Sequence, residues 1–90
     1  MRNIQNLTIS VIDNLVASKM DWSILELNRS ALDNIDGSYR LFVQLFNASD
    51  VVVYNKEMSL PQVTLNAFIN QKDEKVIDNY VSGLLNVVLL

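Results

Sequence analysis

The chain contains no cysteine and no histidine. The first absence excludes disulfides and thiolate metal sites. The second removes the commonest metal ligand and the commonest general base at neutral pH. Glycine occurs twice and proline once, too few for a flexible linker or a glycine-rich phosphate loop. Seven basic residues face ten acidic ones, for a net charge of −3. Gripping a phosphate backbone needs clustered cations. Here Lys72 and Lys75 interleave with Asp73 and Glu74, and their field largely cancels. No segment approaches the roughly 20 apolar residues of a membrane span. The opening residues also lack the apolar core of a signal peptide. A cytoplasmic protein is expected, or a component of a particle assembled inside a cell.

What is present is apolar. Half of the 90 residues are hydrophobic, and mean hydropathy is +0.19. Ninety residues make one domain at most, and residues 1–90 are read as a single compact one. A chain of this size buries about 60–65% of its unfolded surface. The surplus apolar area points to self-association or docking.

The clearest pattern lies in residues 74–90. Val76/Ile77, Tyr80/Val81, Leu84/Leu85 and Val88/Leu89 fall in pairs four apart, the signature of a helix with a wide apolar face. At 100° per residue these side chains span roughly 220° of the circumference. Asp78, Asn79, Ser82 and Asn86 hold the remaining arc. One neighbouring layer cannot cover so wide a face, so a second surface is expected to share it. Asp73 stands where a cap is needed, and Glu74 suits the N-terminal dipole.

Residues 3–19 place Ile4, Leu7, Val11, Ile12, Leu15 and Val16 at helical spacing, which predicts an amphipathic helix. The competing reading is a strand over 7–11, where alternation is clean. Ser23 and Glu26 form a capping box and predict a short helix over 24–33; its rival is a strand over 22–27. Gly37 then stops the segment. Residues 38–46 read as a strand, with Tyr39, Leu41, Val43 and Leu45 on an apolar face and Arg40, Phe42, Gln44 and Phe46 on a mixed one. The turn formers at 47–50 and the run of β-branched residues after them complete a hairpin. Ser59, Pro61 and Gln62 restart a helix to about Asn70, with Leu65, Phe68 and Ile69 inward; alternation over 63–69 allows a strand instead. The expected class is α+β, with helices packed on an antiparallel hairpin in the order α-α-β-β-α-α.

No constellation points to chemistry. Asp33 and Asp36 could offer oxygens to a hard cation, but no third acidic ligand stands at loop spacing, and a solvated helix end is the simpler reading. Two helices before a hairpin resemble a winged helix, yet the candidate recognition helix carries only Arg29. The sequons at Asn6, Asn28 and Asn47 matter only in a secreted chain. Gly83, inside the C-terminal helix, is either a close helix contact or a tolerated cost of about 1 kcal/mol.

The reading is therefore a non-enzymatic interaction or assembly module, without cofactor, metal or nucleic acid. It is expected to self-associate, as a dimer or other homo-oligomer, through its C-terminal helix. Ile77, Val81, Leu85, Val88 and Leu89 are the expected interface, with Trp22, Phe42 and Phe46 as further contacts. The alternative is a small inhibitor docking on a larger protein. The many asparagines and the missing catalytic set suit a virus-, phage- or mobile-element-encoded protein.

Overall fold

A computed structural model describes residues 1–9, 15–26 and 39–90. Four strands come first, β1 (Arg2–Ile9), β2 (Leu15–Glu26), β3 (Tyr39–Phe46) and β4 (Val52–Ser59). Two helices follow, α1 (Gln62–Gln71) and α2 (Lys75–Leu85). All strand pairs are antiparallel, and the sheet order is β1-β2-β3-β4. The class is α+β, but the expected order α-α-β-β-α-α is replaced by β-β-β-β-α-α.

The helices expected over 3–19 and 24–33 are therefore strands wherever the chain is described. A β-bulge explains the first. Asn3 pairs with Lys19, but Leu7 pairs with Ala17, so β1 gains residues against its partner. Bulged strands lose strict alternation. Ile4 and Leu7, three apart, both turn to the core, as do Ala17 and Met20. That spacing imitates a helix. In the second segment, Ser23 and Glu26 lie opposite Phe42 and Tyr39 in the β2–β3 ladder, so the capping box does not form. Met20, Trp22 and Ile24 instead oppose Leu45, Val43 and Leu41, and this cross-strand apolar pairing outweighs the local cap. Val11, Ile12, Arg29, Asp33, Asp36 and Gly37 lie outside the described residues.

The hairpin of β3 and β4 forms as read. Asn47 Oδ1 accepts the amides of Ser49 (2.9 Å) and Val51 (3.0 Å). Asp50 closes the turn at φ 63, a conformation that aspartate tolerates better than most residues. Leu41, Val43 and Leu45 are buried. Both helices cover this face, through Leu65 of α1 and Ile77 and Val81 of α2.

The remaining expectations need three corrections. Pro61, not Ser59, stands at the N-cap of α1, and no side chain caps it. Ile69 is 56% exposed instead of inward. The last helix ends at Leu85, because Asn86 takes the left-handed conformation and returns its amide to Ser82 O. Residues 87–90 then run along β1. Gln5 donates to Val88 O (2.8 Å), Leu90 donates to Asn3 O (3.1 Å), and Ile4 bridges Leu89 antiparallel. Val88 and Leu89 are thus strand-like, and the arc of α2 is narrower than the periodicity implies. Among the described residues no helix is long and apolar enough to cross a membrane.

Candidate functional site

The most organised polar cluster joins β1, β2 and α2. Asp78 lies one turn into α2 and is only 2% exposed. Its Oδ1 accepts the indole N–H of Trp22 at 2.7 Å. Its Oδ2 accepts Arg2 Nε at 2.8 Å. The same guanidinium reaches Glu74 Oε2 at 3.0 Å. A buried carboxylate needs partners of this kind, since an unpaired buried charge costs several kcal/mol. Trp22 also meets Phe68 of α1 edge to face, with centroids 5.7 Å apart and planes at 87°, a favoured aromatic geometry. One indole thus ties both helices to the sheet.

Met1, Arg2, Asp21, Trp22, Glu74 and Asp78 line a cleft of about 280 Å³ beside this cluster. Its chemistry is already committed. Both oxygens of Asp78 are occupied, and Arg2 serves two carboxylates. No group of three or more histidine, cysteine, aspartate or glutamate side chains could hold a metal among the described residues. The cleft reads as a latch between α2 and the sheet.

Sequence reasoning singled out Trp22 but missed Asp78, which it placed on the solvated arc of the helix. A signal was available. At 100° per residue Asp78 lies only about 20° from Leu85 and about 60° from Val81, beside the buried arc.

The expected interface residues have separate fates. Ile77 and Val81 are fully buried in the monomer core and are closed to any partner. Leu85, Leu89 and Trp22 are partly buried against that core. Only Val88 is largely open, at 55%. The structure adds two open neighbours that the expected set omits, Leu84 at 54% and Leu90 at 84%.

Phe42 and Phe46 lie on the other side of the sheet, as the alternation with Leu41, Val43 and Leu45 requires. Phe42 is half-buried between Ser23 and Glu57, and Phe46 is buried between Lys19 and Val52. An ion pair frames this face at each end, Arg40 with Glu57 and Lys19 with Asp50. The face is mixed, with Phe42, Phe46, Leu25 and Val52 set among polar side chains.

Around the C-terminal end of α2 the surface has another character. From residue 79 to residue 90 there is no charged side chain. Asn79, Gly83 and Leu84 are exposed on α2, and Asn86 and Val88 are exposed in the segment that follows it. Among the described residues nothing outside the helix's own backbone lies within 4 Å of where a Cβ on Gly83 would stand. No protein-family model, curated protein or solved structure matches the chain.

Proposed function

We propose that this protein is a non-enzymatic protein–protein interaction module that self-associates through the surface of its C-terminal segment. One observation carries the reading. Leu84, Val88 and Leu90 are 54%, 55% and 84% exposed within a stretch that holds no charged side chain. Interface centres are depleted in charge in the same way. The members differ from those the periodicity suggests, since Ile77 and Val81 serve the core.

Magnitudes limit the strength. Burying the open part of each side chain contributes about 1 kcal/mol, and a two-fold contact doubles the set. Association itself costs about 4 kcal/mol or more. These figures leave a surplus of about 2 kcal/mol, so the expected species is a weak dimer, in the millimolar range or above, and its fraction rises with concentration.

Light scattering across a concentration series tests this. Wild type should exceed 10.2 kDa as its concentration rises through the millimolar range. Joint replacement of Leu84 and Val88 by serine should return it to the monomer mass with the same circular dichroism. A wild type that stays monomeric throughout the millimolar range removes the reading and favours docking on a different, larger protein.

A further inference from the structure

We infer that two copies of the chain exchange α2 and residues 86–90, each seating its C-terminal segment on the sheet of the other. The exchange turns on residues 72–74 and is independent of the open surface at Leu84 and Val88.

The seat on the sheet specifies its occupant. Ile77, Val81 and Val87 enter the core. Asp78 accepts hydrogen bonds from Trp22 and Arg2. The amides of Gln5 and Leu90 donate to Val88 O and Asn3 O. A second copy carries the same residues in the same order, so its segment remakes each of these contacts. A foreign helix would need the apolar pair, the carboxylate beside it and the extended tail all at once.

The connection decides whether the segment folds back on its own sheet. Lys72 holds φ 53 and ψ 37, a left-handed conformation that is unfavourable for a residue with a side chain. Glu74 is already helical, at φ −61 and ψ −21. Residues 72–74 contain neither glycine nor proline, so no residue there breaks a helix. Turning Lys72 and Asp73 to helical angles joins α1 and α2 into one helix from Gln62 to Leu85.

That helix cannot serve one sheet. At 100° per residue, Ile77 and Val81 lie about 170° round the axis from Leu65 and Phe68. With Leu65 and Phe68 on their own sheet, the buried side of α2 faces the opposite way. A two-fold axis then brings a second sheet to it, and each long helix bridges from its own sheet to the partner's. The Trp22 and Arg2 of one copy hold the Asp78 of the other.

The test starts from unfolded wild type, refolded at millimolar concentration and diluted to low micromolar. Dilution dissolves a weak surface dimer, whereas an exchanged pair separates only by unseating its core. Light scattering should show a dimer fraction that protein diluted without unfolding does not show. Crosslinking identifies the exchange. Gln5 and Val88 stand opposite each other beside the Ile4–Leu89 bridge. Their Cα atoms are about 5.5 Å apart in such a pair, a span that a disulfide closes. The chain has no cysteine of its own. Tagged Gln5→Cys and untagged Val88→Cys, refolded together, diluted and oxidised, should give a mixed disulfide at the summed mass. The same two variants mixed after folding should give little.

Two hinge variants should move the dimer fraction in opposite directions. Lys72→Gly relieves the left-handed hinge and disfavours the long helix, and should lower it roughly threefold or more. Asp73 Oδ1 accepts the Lys75 amide at 2.9 Å in the folded-back form. Asp73→Ala removes that bond and favours helix, and should raise the fraction by a similar factor. A refolded sample with neither a dilution-stable dimer nor a mixed disulfide overturns the exchange. A dimer fraction that both hinge variants leave unchanged overturns the hinge at 72–74. Neither result touches surface association, which wild type that was never unfolded reports in the millimolar range.

Discussion

Trp22 and Asp78, separated by 56 positions in the sequence, share a 2.7 Å hydrogen bond from indole N–H to carboxylate. The bond fixes α2 to β2 at a single height, because an indole has one donor to give. Arg2 holds the other oxygen of the same carboxylate.

Replacing Asp78 by asparagine keeps the shape and removes the charge. The new amide then turns a donor toward Arg2 Nε if its oxygen keeps Trp22. The expected loss is about 1–3 kcal/mol, and each kcal/mol lowers the melting temperature of a domain this size by roughly 4–8 °C. Glu74→Gln touches the same guanidinium at a site whose side chain is 66% exposed, so a change within about 0.5 kcal/mol is expected. Thermal melts of the two variants decide. Equal melting of Asp78→Asn and wild type would show that the latch is not structural.

Val43 is fully buried at the centre of β3. Val43→Asp strands a carboxylate among apolar side chains and costs several kcal/mol, enough to unfold the chain. On the opposite face Phe42→Ser should leave a folded protein, since Phe42 stands outside the core cluster. Circular dichroism and one-dimensional proton NMR distinguish the two. A folded Val43→Asp variant would mean that the assignment of faces on β3 is reversed.

Lys72 ends α1 at φ 53 and ψ 37, with its amide on Phe68 O. Glycine takes that conformation without strain. Lys72→Gly should therefore raise stability by up to about 1 kcal/mol, read as a higher urea midpoint at unchanged slope. A lower midpoint would contradict the left-handed cap.

Removing residues 87–90 takes Val87 from the core and uncovers Ile4, which is only 1% exposed. A loss of about 2–4 kcal/mol is expected from the apolar area returned to water. The Gln5 amide, bonded to Val88 O, should exchange its proton much faster in the truncated chain. Unchanged stability and unchanged Gln5 exchange would show that the terminal residues do not dock on β1.

The second half of the fold was legible in the sequence and the first half was not. Tyr39, Leu41, Val43 and Leu45 alternate without interruption, and the turn residues after them bond as their chemistry suggests. The paired apolar positions of α2 likewise give its start. In β1 and β2 a bulge shifts the phase of burial, so a period of two reads as a spacing of three. Ser23 and Glu26 have the right spacing for a cap, but the ladder with β3 wins because it pairs three apolar residues at once. The wide arc of the final segment was a compound of two structures, a helix ending at Leu85 and a strand-like tail beyond it. The latch was hidden for a different reason. Nothing local to Arg2, Trp22 or Asp78 shows that they meet; only the folded topology does.

The contacts between residues 2–5 and 74–90 have a temporal meaning. Arg2 and Asp78 are 76 positions apart, and contacts of such long range form late. On a ribosome β1 emerges long before α2 exists. During that interval the outer edge of β1 presents unpaired amides and carbonyls, and Ile4 and the Trp22 indole have no helix above them. An open strand edge of this kind invites pairing with other chains. The nascent protein therefore passes through its most aggregation-prone form before α2 and residues 87–90 arrive to close that edge.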